Sequence, residues 1–385
     1  MRGSIQKKGK IFYAVIALNG KRKWFKGGST KKDAQRIINE KLPEIESGTY
    51  RELTKAKFKE FSEIWIKSYA LPSVKPSTLA GYQDIIKRLL MPLFENYYLT
   101  DIMTGHLQSY VADRIKTVSP KTVCNEIVVI KEMFKHALRW GYVKTNPAEY
   151  VERPRLTKSE IEILSPDEAD KLILNSHSHY RTAFLTDFLT GMRAGELWGL
   201  QWPDIDWNSK QIYVRRSLWK GQFQTPKSKC SIRKIDITDT LIHELKKWKL
   251  ACPINENDLV FPSPEGKLSQ HDNVVKRYLN PALRTAGLRK VSFHSLRHSN
   301  ASMRIQAGQN IKYIQSQMGH ASINITLDIY GHLFNDVNFN RQQVELLESS
   351  FKSVRNPLEK PAISNKKELQ ESCNPLILFG GGERI

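Results

Sequence analysis

The first 50 residues alternate between apolar and polar positions in a way that predicts paired strands followed by a helix. Residues 11–18 are rich in β-branched and aromatic side chains, and an Asn-Gly dipeptide typical of a hairpin turn separates them from residues 21–26. Thr30 followed by Asp33 predicts a capping box at the start of the helix. We therefore predict a small three-stranded sheet with one helix behind it.

From residue 58 to about residue 150, apolar positions recur every three or four residues, which predicts a bundle of four amphipathic helices. One apolar stripe of each helix is expected to face the core: Phe58, Phe61, Ile64 and Trp65; Leu79, Tyr82, Ile86 and Leu89; Leu107, Tyr110, Val111 and Ile115; and Val123, Ile127, Ile130, Phe134 and Leu138.

The remaining pattern predicts a third, mixed region over residues 163–350. Helical stretches surround two candidate strands, residues 211–217 and 232–237. Residues 356–385 are rich in Pro, Asn, Lys and Gly, which predicts a poorly ordered tail. The predicted fold class is a multidomain α+β chain: an N-terminal sheet and helix over 1–50, a helical bundle over 58–150, and a mainly α region with a small sheet over 163–350.

Charge changes this picture by suggesting a partner. Lys and Arg number 60 against 39 Asp and Glu, which gives a formal net charge of +21, and the first 32 residues contain ten Lys or Arg and no acid. Such a surplus favours nucleic acid, or less often an anionic membrane surface, while the alternative is a solvated basic surface. Because a strand pair fits the major groove of DNA, the candidate DNA-binding residues are those of the basic sheet. They are Lys7, Lys8, Lys10, Lys21, Arg22, Lys23 and Lys26.

Cysteine usage and hydropathy indicate the compartment. The four cysteines are scattered without a CxxC pair, so they predict neither a zinc knuckle nor a disulfide framework, and they fit a reducing cytoplasm. The sequence shows neither a signal-peptide pattern nor a run of about 20 apolar residues, so no association with a membrane is predicted.

Four short segments of the third region carry the candidate chemistry. They are TGMRAGEL at 190–197, TPKSK at 225–229 with Arg233 shortly after, HSLRH at 294–298, and MGH at 318–320 with Tyr330 ten residues later. Each segment alone is weak, because an HxxR pair or a lone tyrosine is usually a surface or core feature. Their joint occurrence in one basic chain is what favours a common site.

These residue types suit a phosphodiester. Arginine presents a planar fork that matches phosphate oxygens and keeps its charge, and two such forks stabilise the charge of a pentavalent phosphorus. A tyrosine hydroxyl is a suitable nucleophile if a histidine helps to remove its proton, and a lysine on a hairpin is a suitable proton donor to the leaving 5′ oxygen. The segments contain no carboxylate cluster, so we predict neither a metal ion nor another cofactor.

Spacing predicts how some of these side chains are arranged. His294 and Arg297 are three residues apart and would share one face of a helix. Glu196 follows Arg193 at the same spacing, so we expect Glu196 to position another group rather than to react.

These motifs, in this order and spacing, resemble those of the tyrosine recombinase, or phage integrase, family, and the larger integrase type in particular. The resemblance covers the chain up to the tail. Residues 1–50 resemble the arm-type DNA-binding domain, 58–150 the helical, SAM-like core-binding domain, and 163–350 the catalytic domain.

The resemblance implies a role for each matched residue. Arg193, Lys227, His294, Arg297 and His320 would surround the scissile phosphate, with Tyr330 as the nucleophile. It also implies a 3′-phosphotyrosine intermediate, a free 5′ hydroxyl and exchange through a four-way junction without ATP. Lys229 would face the same side of a strand as Lys227; we prefer Lys227 by alignment with the family's hairpin.

The resemblance further implies the biological setting. The protein would be a site-specific recombinase that integrates and excises a phage or other mobile element in the cytoplasm of a bacterial host. Its partners would be double-stranded DNA with core-type and arm-type sites, three further copies in a homotetramer, and an excisionase or DNA-bending host factor. The C-terminal helix predicted over residues 340–351 would dock onto a neighbouring copy. Two alternatives are a DNA-binding regulator with an inert recombinase fold and a nicking-resealing enzyme similar to type IB topoisomerases.

Overall fold

The computed structural model of the chain describes residues 3–18, 20–48, 50, 52–156, 162–225, 231–330, 341 and 344–349, with only the backbone at 325 and 328–330. The chain divides into two compact units, Met1–Ser159 and Glu160–Ile385. That residues 1–50 and 58–150 form separate domains stays a prediction, and the predicted tail lies outside the described residues.

The first unit begins with a three-stranded antiparallel sheet, β1 (Ser4–Lys8), β2 (Ile11–Leu18) and β3 (Lys21–Gly28), and helix α1 (Lys31–Glu46). The predicted capping box is present: the Asp33 amide donates to Thr30 Oγ1 at 3.2 Å and the Thr30 amide donates to Asp33 Oδ2 at 3.0 Å. Helix α1 packs against β2 and β3 and buries Ala14 and Ile16 on that face of the sheet.

The helical part of the first unit contains four rods, as predicted. They are α2 (Phe58–Trp65), which continues through a π-helical turn into α3 (Leu71–Ser73); α4 (Pro76–Ile85), which continues likewise into α5 (Met91–Phe94); α6 (Thr104–Arg114); and α7 (Pro120–Arg139). The predicted stripes supply most of the core, but Ile64, Ile115 and Leu138 are exposed. Ile64 lies beside the larger buried rings of the same helix. Ile115 and Leu138 lie at the ends of their helices, where the apolar stripe extends beyond the neighbouring helices that would cover it.

The second unit is mainly helical with two small sheets. Its elements are α8 (Pro166–Leu174), α9 (Ser178–Thr190), α10 (Ala194–Trp198), β4 (Ile205–Asp206), β5 (Gln211–Val214), β6 (Ser217–Trp219), β7 (Gln222–Gln224), β8 (Arg233–Asp236), α11 (Asp239–Ala251), α12 (His271–Val274), α13 (Asn280–Thr285), α14 (Phe293–Gln306), α15 (Ile311–Met318) and α16 (Ile323–Tyr330). Strands β4, β5 and β8 form one antiparallel sheet, and β6 and β7 form a hairpin. The candidate strand 211–217 is therefore two strands, because β5 pairs with β8 whereas β6 pairs with β7.

Packing of α9 against α14 positions the site. Phe184 of α9 and Leu296 of α14 are buried in the same core, together with Ile212 and Ile235 of the sheet. This packing brings the loop after α9 close to the HSLRH segment that opens α14. No helix among the described residues is both long and apolar enough to cross a bilayer.

Candidate active site

Arg193 lies at the start of α10, where the chain turns after α9. Gly191, at φ +63°, ends α9 in the left-handed conformation that glycine adopts without strain. The side chain of Arg193 donates through Nη1 to Glu196 Oε1 at 2.9 Å and through Nη2 to the carbonyl oxygen of Gly319 at 3.0 Å. A third of this side chain is exposed, so it can still reach a ligand.

Arg297 is the second arginine of the site and lies on α14. Its residue is 2% exposed, and its guanidinium donates to the carbonyl oxygens of Gly191 and of Met318, the latter at 2.6 Å. Arg193 and Arg297 therefore both donate to the turn at the end of α15.

His320 follows that turn directly. Gly319 has φ +63° and lets the chain leave α15, so that the imidazole of His320 is 7% exposed and its Nδ1 lies 2.9 Å from Thr326 Oγ1. Burial and the positive charges of Arg297 and Arg193 lower the pKa of His320 to about 3. His320 is therefore neutral at pH 7 in the free protein and can accept a proton or a hydrogen bond.

His294 lies on the surface at the first turn of α14, one turn before Arg297. Its ring meets that of His298 edge to face, with centroids 4.6 Å apart. Partial desolvation of the ring and the charges of His298, Arg297 and Arg193 lower the pKa of His294 to about 4. Like His320, it is neutral at pH 7 before an anion binds.

Glu196 is buried between two arginines. Its Oε1 accepts from Arg193, and its Oε2 accepts from Arg233 Nη2 at 3.0 Å. Burial alone would raise the pKa of Glu196, but Arg233 and Arg193 lower it below its ordinary value. Glu196 therefore contacts two arginines at once, and its positioning role stays a prediction.

Asp187 is a buried carboxyl that sequence reasoning missed. It lies on α9, is 0% exposed, and neither carboxyl oxygen has a hydrogen-bond partner among the described residues. Burial raises the pKa of Asp187 well above its ordinary value, although the charge of Arg297 opposes this shift. No sequence signal marked it, because an aspartate on a helix is usually exposed.

The side chains of three residues predicted for the site are not described by the structure. Lys227 and its alternative Lys229 lie outside the described residues. Tyr330 is the last residue of α16, and its side chain is not described. Their approach to Arg193 and Arg297 therefore stays a prediction.

The basic residues of the N-terminal sheet divide between its two faces. The pairing register puts Lys8, Arg22 and Lys26 on one face with Tyr13 and Trp24. Trp24, which sequence reasoning did not single out, is 47% exposed and packs edge-on against Tyr13 at 5.8 Å between ring centroids.

The opposite face of the sheet is the one that packs on α1. Lys7 and Lys23 belong to it, and Lys23 forms an ion pair with Glu52. Lys21 points to the same side as Lys23, and Lys10 lies in the turn between β1 and β2. The seven candidate DNA-binding residues therefore do not form one continuous surface.

Two family models match the chain. Residues 162–337 match the phage integrase family, and residues 57–114 match the phage integrase N-terminal SAM-like domain. The two matched stretches together cover more than half of the chain and include the whole candidate site. The chain belongs to the phage integrase family.

Relatives and solved structures agree with this family assignment. The chain is 29% identical over 327 residues to the ICEBs1 integrase of Bacillus subtilis, which covers 80% of this chain and 87% of that protein. Its fold is similar to that of the Tn1549 transposon integrase in complex with transposon right end DNA (TM-score 0.64, 19% identity, 76% of this chain and 100% of that one). It is also similar to a lambda integrase tetramer bound to a Holliday junction (TM-score 0.57, 20% identity, 82% and 96%). This phage integrase family member is a tyrosine recombinase, an enzyme that cuts and rejoins DNA.

Proposed function

We propose that this recombinase integrates and excises a mobile genetic element at specific DNA sites, with Tyr330 as its nucleophile. The oxygen of Tyr330 attacks the scissile phosphorus, a P–O bond to the tyrosine forms, and the bond to the 5′ oxygen breaks. The phenol proton passes to a neutral histidine, His294 or His320, and Lys227 supplies a proton to the leaving oxygen. The 5′ hydroxyl of a second duplex then reverses the step and joins the new strand.

The observation that carries this proposal is the convergence of Arg193, Arg297 and His320 at the end of α15. Both guanidinium groups donate to consecutive carbonyls there, at 3.0 Å from Arg193 to Gly319 and 2.6 Å from Arg297 to Met318. Two fixed positive charges beside a neutral imidazole suit a phosphate that gains negative charge during attack.

The basic face of the N-terminal sheet supports a second DNA contact. Lys8, Arg22 and Lys26 lie on the same face of the sheet as the exposed Trp24, and a strand pair fits the major groove. We propose that this face binds arm-type sites while the helical part of the unit binds core-type sites. Contact with two separate sites is useful to an integrase, which must bring distant DNA segments together.

A tetramer on DNA is the proposed assembly. Exchange of two duplexes needs four cleavages, and the similar lambda integrase is a tetramer on a Holliday junction. An excisionase or DNA-bending host factor would set the direction of exchange, and the cytoplasm of the bacterial host is where the element's DNA is accessible.

Covalent trapping tests the proposal. Wild-type protein is incubated with supercoiled plasmids that carry the two ends of the element, and protein–DNA adducts are separated under denaturing conditions. Tyr330→Phe, which removes only the hydroxyl oxygen, should bind these plasmids with wild-type affinity and form no adduct. A Phe variant that still traps DNA covalently would remove Tyr330 from the mechanism.

The products separate the proposal from its alternatives. Site-specific exchange between plasmids supports an integrase, and relaxation without exchange indicates an enzyme similar to type IB topoisomerases. Binding by wild-type protein without adduct or relaxation indicates a regulator with an inert fold.

A further inference from the structure

Three guanidinium groups, rather than two, converge on the C-terminal end of α15. Arg233 Nε donates to the carbonyl oxygen of Gln317 at 2.6 Å, Arg297 to that of Met318, and Arg193 to that of Gly319. The last carbonyls of a helix lack partners within the helix and carry the negative end of its dipole, so positive donors stabilise them. The third arginine, Arg233, belongs to this cluster but was given no role by the sequence motifs.

Arg233 is held by protein groups at every nitrogen. Its side chain is 6% exposed, and one of its partners is the carboxylate of Glu196. Nε donates to Gln317, Nη1 to the carbonyl oxygen of Ser231 at 3.1 Å, and Nη2 to Glu196 Oε2 at 3.0 Å. A group with this set of contacts acts on the reaction only through its neighbours.

One of those neighbours is the turn that presents His320. A Cβ built on Gly319 would lie 2.9 Å from Arg233 Nη1 and 3.0 Å from its Cδ, so the arginine fills the space directly against this turn. The position of Arg233 therefore limits how far the backbone before His320 can move toward the protein interior.

The other neighbour is Glu196, which Arg233 shares with Arg193. One carboxylate oxygen pairs with each arginine, at 2.9 Å for Arg193 and 3.0 Å for Arg233. If a neutral residue replaced Arg233, the negative charge of Glu196 would be paired with Arg193 alone. The field of Arg193 at the phosphate would then be weaker, and its side chain would be held closer to the carboxylate.

We propose that Arg233 is a positioning residue of the recombination site, which balances the charge of Glu196 so that Arg193 stays available to the phosphate and which fixes the turn that carries His320. This inference rests on the proposed function only in that Arg193 and His320 act on the phosphate cleaved by Tyr330. It predicts an effect on the chemical step and little effect on DNA binding.

The test uses Arg233→Met, the conservative Arg233→Lys, and the double variant Glu196→Gln/Arg233→Met in the full chain. The probe is a nicked duplex whose sequence is taken from DNA that wild-type protein itself traps covalently, and the readouts are its affinity and the single-turnover rate of adduct formation at saturating DNA. Arg181→Met is the matched control, because Arg181 also donates to carbonyls at a helix end, those of Ile173 and Leu174, but does not contact Glu196.

Arg233→Met should bind the duplex within about twofold of wild type and form the adduct about 10- to 100-fold more slowly, as expected when a reacting group is displaced by about an ångström. Arg233→Lys keeps the charge but cannot donate to Glu196 and Gln317 together, so its rate should lie between those of Arg233→Met and wild type. The double variant should form the adduct at least about threefold faster than Arg233→Met, because no carboxylate then offsets the positive charge of Arg193. Arg181→Met should keep the wild-type rate.

The outcomes separate this inference from the proposed function. If wild-type protein forms no adduct through Tyr330, the proposed function fails. If wild-type protein forms the adduct and Arg233→Met matches it, or if the double variant is no faster than Arg233→Met, the positioning role is wrong. Should thermal unfolding show that Arg233→Met is not folded, the same comparison is made between Arg233→Gln, which is also neutral but keeps a polar amide, and Glu196→Gln/Arg233→Gln, with the same threshold.

Discussion

At the scale of single residues, the site contains ionisable side chains that are buried away from water. Arg297 is 2% exposed, Glu196 is 3% exposed, and Asp187 is fully buried beside them. Arg297 and Glu196 meet partners with opposite charge or with carbonyl dipoles, whereas neither carboxyl oxygen of Asp187 has a partner among the described residues. Burial of an unpaired carboxylate costs free energy, so Asp187 lowers the stability of the folded protein.

Asp187→Asn should make the protein more stable at neutral pH. Because the pKa of Asp187 is raised in the folded protein, the unfolded chain loses this proton at a lower pH than the folded protein does. The contribution of Asp187 to stability is therefore fully present below its unfolded pKa of about 3.9 and is lost as pH rises toward its higher folded pKa. Asparagine does not titrate, so the variant should gain about 1–3 kcal/mol relative to wild type at pH 7.

Denaturant unfolding measured from pH 4 to pH 8 checks this expectation. The free energy of unfolding of Asp187→Asn, relative to wild type, should rise as pH increases above about 3.9, the unfolded pKa of aspartate. Asp170→Asn, an exposed change on α8, serves as the control and should track wild type. Parallel curves for wild type and Asp187→Asn would contradict the buried, protonated state of this carboxyl.

At the scale of elements, the C-terminal end of α15 organises the site. Three arginines from the loop before α10, from β8 and from α14 donate to its last carbonyls. Helix α15 is further attached to β8, because Gln317 Oε1 accepts from the amide of Asp236 at 2.9 Å. The turn at Gly319 thus joins the sheet, α14 and the His320 side chain.

Gly319→Ala should destabilise the protein by more than the cost of placing alanine in a left-handed conformation. The left-handed φ of +63° costs a non-glycine residue roughly 1–2 kcal/mol, and the new Cβ would also press on Arg233. Gly287→Ala is the matched control, because Gly287 has φ +67° with no atom within 4 Å of a Cβ.

Unfolding and cleavage measurements separate these two contributions. Gly287→Ala should lose only the cost of the backbone conformation and should keep the wild-type rate of adduct formation. Gly319→Ala should lose about 1–3 kcal/mol more, as expected for overpacking, and should cleave more slowly. Equal losses in the two variants, with equal rates, would argue against a tight contact between Arg233 and this turn.

At the scale of the whole molecule, the net charge of +21 is unevenly distributed along the chain. The N-terminal sheet concentrates Lys8, Arg22 and Lys26 on the face opposite α1. Phosphate contacts release counterions, so the number of such contacts sets how steeply affinity falls with salt.

Replacing Lys8, Arg22 and Lys26 together by Ala should flatten this salt dependence. If each contacts one phosphate, the slope of log affinity against log salt should change by about 2–3. Lys7→Ala/Lys23→Ala is the control on the face that packs on α1 and should change the slope by less than about 1. Affinity for DNA that carries the element's arm-type sites, measured from 50 to about 200 mM salt, checks this, and equal slope changes in the two variants would refute the assignment of faces.

The sequence by itself determined what can be read locally. Capping at Thr30 and the four rods of the helical bundle followed from spacing and turn chemistry, whereas a common site for Arg193, Arg297 and His320 was expected only from the joint occurrence of the motifs and from their resemblance to the family. Local patterns suffice here because helix caps and apolar periodicity depend on neighbours within a few residues. The family models then confirmed the recombinase assignment.

Only the tertiary structure decided which groups share a carboxylate or a helix end. Arg233 and Glu196 are 37 residues apart, and Arg193 lies 126 residues from Gly319, so no local pattern could relate them. The burial of Asp187, the split of residues 211–217 between two strands and the division of the basic sheet into two faces likewise depend on contacts between distant segments. Desolvation and long-range pairing are properties of the packed chain, which is why these features appear only once it has folded.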